Sequence, residues 1–135
     1  MNGGTVQISA DSQLGTAGLS FTTGTLQTTV DITTAKAMTL TASGTLNVDA
    51  STTLSTSGVI SGTGQLIKIG AGVLTPSATN TYTGGTTLNA GTCNVSADAN
   101  LGDSSSVLSL GAATLNINSS FTTSRNVALI GSGTI

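Results

Sequence analysis

The sequence predicts an all-β chain wound into a parallel solenoid with coils of about 20 residues. Three observations point there. Gly-Thr-apolar triplets recur as start signals at Gly4-Thr5-Val6, Gly24-Thr25-Leu26 and Gly44-Thr45-Leu46, and Gly64-Gln65-Leu66 continues the series with its glycine again 20 residues on. Between these signals apolar and polar residues alternate, which is the period of a strand with one buried face. A long unit also begins a second time: Ile8-Ser9-Ala10-Asp11-Ser12-Gln13-Leu14-Gly15 returns as Val95-Ser96-Ala97-Asp98-Ala99-Asn100-Leu101-Gly102, an offset of 87. A repeat this long in a chain this polar points to stacked units rather than a compact enzyme.

Taken in order, the alternation places Leu26, Thr28, Val30 and Ile32 on one side and Thr25, Gln27, Thr29 and Asp31 on the other. Met38 with Leu40, Leu46 with Val48, and Leu108, Leu110, Leu115 and Ile117 repeat the pattern. Later start signals are Gly91-Thr92-Cys93, Ala113-Thr114-Leu115 and Gly133-Thr134-Ile135, spaced 22 and 20, and Gly72 is a candidate start of a further coil. The interval between Gly64 and Gly91 holds Asn80-Thr81-Tyr82-Thr83-Gly84-Gly85-Thr86, which is expected to leave the coil as a protruding loop. In the long unit Gly24-Thr25-Leu26-Gln27 matches Ala113-Thr114-Leu115-Asn116, Lys36 matches Arg125, and the offset of 89 implies two extra residues near Asp103 to Val107. The expected organisation is one β-helical unit over residues 1–135, with a repeat of about 87–89 residues whose second copy starts near 91. Six or seven such coils would form a rod about 30 Å long, since neighbouring strands lie about 4.8 Å apart. A β-sandwich is the rival arrangement, and the 20-residue recurrence disfavours it.

Composition narrows the function classes. Only 6% of residues are charged, with three basic and five acidic side chains, a formal charge of -2 and no histidine. Three basic residues cannot build a stripe for nucleic acid or an anionic bilayer. Abundant Thr, Val and Ile argue against disorder despite the low charge. Helix is disfavoured by the many Gly and β-branched residues and by little Glu or Lys. No stretch is long and apolar enough for a transmembrane helix, and the N-terminus has neither the basic region nor the apolar run of a secretory signal. Export would therefore rely on a signal outside these residues.

No catalytic, cofactor-binding or metal-binding residue is assigned. Glycoside hydrolysis needs two placed carboxylates. Asp11 and Asp31 are 20 apart and could stack on adjacent coils, where they would invite a cation, but Asp11 and Asp98 read as turn residues bonding their own backbone, as does Asp103. Asp49 shows no partner. Lys36 and Arg125 read as solvated exterior positions, with a surface pair such as Lys36–Asp31 worth about 0–1 kcal/mol. Cys93 is unpaired and reads as a small buried hydrophobe. The single Tyr, Tyr82, reads as a ring packed over the neighbouring coil that pins the Gly84-Gly85 turn, with an exposed sugar or protein contact as the alternative.

The stretch Asn80-Thr81-Tyr82-Thr83-Gly84-Gly85-Thr86-Thr87-Leu88-Asn89-Ala90-Gly91-Thr92, preceded by Gly70-Ala71-Gly72-Val73-Leu74, closely resembles the autotransporter-associated β-strand repeat. The resemblance extends through Ser96 to Leu101-Gly102 and on to Arg125-Asn126-Val127. It implies a right-handed parallel β-helix, carried as a passenger domain of type V secretion systems and displayed outside a bacterial cell by a separate outer-membrane barrel. Two positions depart from the family pattern. Cys93 stands where Leu is usual, and Pro76 removes a ladder donor where a strand commonly continues, so the strand must end or turn outward there.

The expected function is structural: a rigid β-helical stalk of an extracellular autotransporter passenger or adhesin that aids passenger folding and display. Its expected partners are flanking coils of the same parent chain, with end-to-end self-association through uncovered strand edges; a host protein or glycan is left unspecified, and neither nucleic acid nor direct membrane insertion is expected. The alternatives are a carbohydrate-binding or carbohydrate-degrading β-helix of the tailspike type and a self-assembling solenoid fibre.

Overall fold

The computed structural model describes all of residues 1–135. Thirteen strands follow in chain order: β1 (Asn2–Ile8), β2 (Leu19–Phe21), β3 (Thr23–Thr28), β4 (Ile32–Thr34), β5 (Met38–Leu40), β6 (Gly44–Val48), β7 (Thr53–Thr56), β8 (Ile60–Gly62), β9 (Leu66–Ile69), β10 (Val73–Pro76), β11 (Thr86–Val95), β12 (Leu108–Ile117) and β13 (Val127–Leu129). Every strand pairing is parallel. Together the strands wind into a right-handed parallel β-helix, as the sequence predicts.

Each coil crosses three faces. On the first, β1, β3, β6 and β9 are followed by the start of β11, the start of β12 and then β13. On the second, β4, β7 and β10 are followed by the second halves of β11 and β12. β2, β5 and β8 make the third. Long strands β11 and β12 cover two faces because they bend at the corner between them.

Alternation along each strand sends every second side chain inward, and stacking turns those side chains into ladders. The first face carries Val6, Leu26, Leu46, Lys68, Leu88, Leu110 and Leu129 in one ladder. On the second face Ile32, Leu54, Leu74, Cys93 and Leu115 are stacked. Leu19, Met38 and Ile60 stack on the third, beside Phe21 and Leu40. Leu26, Leu46, Leu54, Leu74 and Leu88 are completely buried.

Several expectations change. The glycine start signals do not form one column. Gly24 pairs with Gly44, but Gly44 pairs with Leu66, so Gly64 falls in the preceding corner. The cause is a longer corner at Asp49–Thr52. Strand β3 pairs with β6 at a step of 20 (Thr28 with Val48), whereas β4 pairs with β7 at a step of 22 (Ile32 with Leu54). Ser51 takes a left-handed φ of 63° in that corner, and Thr52 Oγ1 donates to the Asp49 carbonyl at 2.7 Å. A residue larger than glycine does not fit at Gly64, because its Cβ would lie 1.6 Å from the Ala42 carbonyl oxygen.

Gly91, Ala113 and Gly133 belong to the second face, in line with Gly72, so Gly72 marks a corner of that face and starts no coil of its own. The recurring stretches of the chain therefore lie one face apart. Thr5-Val6-Gln7-Ile8 is on the first face, and its counterpart Thr92-Cys93-Asn94-Val95 is on the second. Val30 does not share the buried side of Leu26 and Ile32. It sits in the corner between β3 and β4 and is 41% exposed.

The Asn80–Gly85 segment does not protrude. Thr81 N donates to Ile60 O and Thr83 N to Gly62 O, so the segment continues the third face under β8. Two short 3-10 helices, Asp11–Leu14 and Asp98–Leu101, interrupt the otherwise all-β chain. Pro76 is the last residue of β10, and the ladder resumes with Ser77 N donating to Thr56 O, in keeping with a strand that ends there.

Truncating a central ladder residue leaves a void between two coils. Leu54→Ala is expected to cost about 2–5 kcal/mol, measurable as a lowered urea midpoint with the β-sheet circular dichroism signal retained before the transition.

Candidate functional site

The chemistry-bearing side chains are concentrated inside the solenoid and at its corners. Arg125, expected in solvent, is buried, its side chain 1% exposed. Its Nε donates to Asp98 Oδ1 at 3.1 Å and Nη2 to Asp98 Oδ2 at 3.1 Å. Nη1 reaches the carbonyls of Leu101 at 3.2 Å, Asp103 at 2.9 Å and Ser106 at 3.3 Å, and Nη2 that of Gly102 at 3.0 Å. One planar fork thus binds a carboxylate with two parallel bonds and gathers the carbonyls of the 98–106 corner. Burial pushes the Asp98 carboxyl up, but the Arg125 and Thr123 hydrogen bonds and the Arg125 charge outweigh it and hold the group below its ordinary range.

The matching sequence positions Asp11 and Lys36 form a similar, less buried pair. Lys36, also expected in solvent, is mostly buried: its Nζ meets Asp11 Oδ2 at 3.1 Å, with the Lys36 and Asp11 side chains 13% and 35% exposed. This pair replaces the expected Lys36–Asp31 contact. In both copies the acidic residue opens a 3-10 helix and the basic residue returns one coil later. Neither Asp caps its own turn. That work falls to Gln13 Oε1, which accepts from Ser9 N and Ala10 N, and to Asn100 Oδ1, which accepts from Ser96 N and Ala97 N.

The other acidic residues are also engaged. Asp31 Oδ1 accepts from Thr53 N at 2.8 Å, so Asp11 and Asp31 face different partners. Asp49, for which the sequence suggests no partner, accepts from Gln27 Nε2 at 2.8 Å. Asp103 Oδ1 takes Ser105 N at 2.9 Å, as a turn residue does. No three or more His, Cys, Asp and Glu side chains converge on a point.

Lys68 is the interior residue that sequence reasoning missed. The two-residue corner insertion puts it, rather than Leu66, in register with Leu46, so an ammonium occupies a rung between Leu46 and Leu88. The side chain is fully buried. Nζ donates to the carbonyls of Ile69 at 2.8 Å, Gly70 at 2.7 Å and Ala90 at 3.2 Å. These bonds tie the first-to-second-face corner of its own coil to that of the next. No carboxylate contacts it, and burial lowers its pKa from 10.5 to about 8. A readable signal existed: Lys68 shares parity with the apolar Leu66, which puts both side chains on one side of β9.

Cys93 fills its ladder between Leu74 and Leu115, and burial pushes its thiol up to about 12. Tyr82 is fully buried, its ring packed in the core rather than on an outer loop, and its hydroxyl lies 2.6 Å from Thr86 Oγ1, which donates to Leu101 O at 3.0 Å. Burial raises its pKa. Asn80 bridges three coils: Oδ1 accepts from Ile60 N at 2.8 Å and Nδ2 donates to Asn100 O at 2.7 Å. These side chains saturate buried backbone groups where the ladder is irregular.

Two substitutions separate these contacts. Arg125→Met is expected to cost about 3–5 kcal/mol, the range for breaking a buried pair, whereas Lys36→Met, which removes a single contact to a partly exposed carboxylate, is expected to cost less; chemical denaturation of both variants tests the contrast. Lys68 binds its proton more weakly folded than unfolded, so stability rises as pH climbs from about 8 to 10.5 and is lowest below that window. Lys68→Met is expected to abolish this alkaline rise, read from denaturation midpoints at pH 7 and 10.

A family model described as Passenger-associated-transport-repeat matches residues 66–92, the stretch from β9 past the buried Asn80 and Tyr82 into β11. The chain is similar to "Adhesin BmaC autotransporter" of Brucella suis biovar 1 (strain 1330), at 44% identity over 70 residues, which cover 52% of this chain and 2% of that protein. No solved structure matches. The fold, the matched coil and the inward-turned polar groups make this chain a structural β-solenoid repeat module.

Proposed function

We propose that residues 1–135 are a stretch of a much longer passenger, displayed outside a bacterial cell, in which they act as a rigid stalk that supports folding and surface display. The observation that carries this reading is the Passenger-associated-transport-repeat match over residues 66–92, because those residues form a complete turn of the solenoid. The similarity to an adhesin autotransporter, of which the chain spans 2%, supports a role as one stretch among many. Physically, the interior suits a spacer. In-register parallel ladders resist bending, and the polar groups that could do chemistry are spent on backbone carbonyls and on one another. A carbohydrate-cleaving reading finds less support, since Asp11, Asp98, Asp31 and Asp49 are each bound to a different partner.

The test places residues 1–135 between an export signal and a C-terminal outer-membrane barrel in a Gram-negative host. The intact chain is expected at the cell surface as a compact, protease-resistant segment, and Gly64→Val, which cannot pass the Ala42 carbonyl, is expected to lower the amount displayed. Retention of the intact chain in the periplasm would count against the proposal.

A further inference from the structure

Strand β9, which has a coil on either side of it, is inverted relative to its neighbours. Its sequence is Leu66-Ile67-Lys68-Ile69, and it sends Lys68 inward while Ile67 and Ile69 turn outward, half-buried. Ile67 stands between Thr45 and Thr87 in the outer row of the first face, and Ile69 stands beside Asn47. The same two outer positions are Thr25 and Gln27 in β3. Inside, Lys68 interrupts the ladder between Leu46 and Leu88. The strand thus keeps its charge in the core and its β-branched apolar side chains on the surface.

Because side chains alternate, a one-residue slip of a strand exchanges its two faces. If Ile67 took the rung of Leu66 and Ile69 that of Lys68, both inner rungs would hold apolar side chains. Ile67 would lie between Gly44 and Thr86, Ile69 between Leu46 and Leu88, and Lys68 would reach solvent between Thr45 and Thr87. The cost is Leu66, which would move into the preceding corner. Both corners are built to change length. Gly62 and Gly64 precede β9, Gly70 and Gly72 follow it, and Gly62 and Gly70 already have left-handed φ angles of 108° and 78°. The carbonyls that hold Lys68 Nζ, those of Ile69, Gly70 and Ala90, lie in or beside the following corner, the stretch that the slip shortens. One movement therefore releases the ammonium and brings the isoleucines in.

We propose that β9 is a two-register strand, which exchanges between the Lys68-inward arrangement and one slipped by a residue, with Ile67 and Ile69 in the core and Lys68 in solvent. The slip is absorbed between Gly62 and Gly72, so the coils on either side keep their places. It trades an apolar stretch of the outer first face for a cation. Protonation favours the slipped register: with a pKa of about 8 against 10.5, inward Lys68 binds its proton up to roughly 300-fold more weakly than it does in water. This bias is full below pH 8 and fades as pH rises to 10.5. The other ionisable groups around β9 are Asp49, at the corner after β6 and bonded to Gln27, and Cys93 of β11, whose thiol burial keeps protonated.

Chemical labelling of the folded chain at pH 7 tests the proposal. Acetic anhydride modifies Lys68 and iodoacetamide modifies Cys93, and mass spectrometry gives each rate relative to the same residue in urea. Cys93 is buried one coil away and reports opening of the whole chain. Lys68 is expected to be about tenfold or more less protected than Cys93, since a local slip needs less free energy than global unfolding. The double variant Ile67→Thr/Ile69→Thr suits the observed register, where Thr45 and Thr87 flank position 67, but removes the side chains that would replace Lys68 inside. It is expected to raise the protection of Lys68 to that of Cys93, with circular dichroism confirming the β-structure; Ile67→Thr alone serves the comparison if the double variant does not fold. Equal protection of Lys68 and Cys93 in the wild type would overturn the proposal, because the coil would then open only with the whole chain. Unchanged Lys68 labelling in the threonine variant would also overturn it, because a strand that merely frays has no need of the isoleucines.

Discussion

The fold depends on one constraint: each coil must meet its neighbours through an in-register parallel ladder. A single coil cannot bury its own inward side, and its backbone donors and acceptors point along the axis to the adjacent coils. Hydrogen bonding and apolar burial are thus satisfied by the same contact. Leu26, Leu46, Leu54, Leu74 and Leu88 are buried because another rung lies on either side of each. The constraint also explains where length variation is tolerated. The two extra residues at Asp49–Thr52 sit in a corner, where no rung has to be matched, and β7 regains the ladder with Leu54 against Ile32.

That tolerance has a consequence for the interior. Adding two residues at one corner moves the register for a whole turn, and the first-face ladder meets Lys68 where Leu66 would otherwise stand. The lysine is accommodated by three carbonyls at the corner instead of by a counter-charge. Arg125 solves the reverse problem. There the 98–106 corner bulges and leaves carbonyls turned inward, and a long cation from the following coil collects them. In both places a cation is anchored mainly by irregular backbone, which couples neighbouring coils at the points where the ladder alone is weakest.

The recurring stretches lie one face apart, so the same local sequence works against different neighbours. The 3-10 helix at Asp11–Leu14 and that at Asp98–Leu101 each take a basic residue from the next coil, and the second pair is the more deeply buried of the two. The chemistry of the pair is thus local, while its burial is set by the coils around it. This places the two ion pairs at different positions around the axis rather than along a single seam.

Much of this was legible in the sequence. Alternation at Leu26-Gln27-Thr28 and Leu46-Asn47-Val48 determined which side chains turn inward, because parity along a strand is a local property. The 20-residue recurrence determined the coil, and the apolar setting of Cys93 determined its burial. The tertiary structure alone decided the register between coils. Corner length shifts a whole turn without changing any strand, so Gly64 left the column it seemed to continue and Lys68 entered it. The pairing of Arg125 with Asp98 was likewise hidden, since the two residues are 27 apart and meet only once the coil between them has closed. Asn80 and Tyr82 read as a loop for the same reason: the carbonyls and amides that hold them belong to the coils on either side, and no local pattern names those partners.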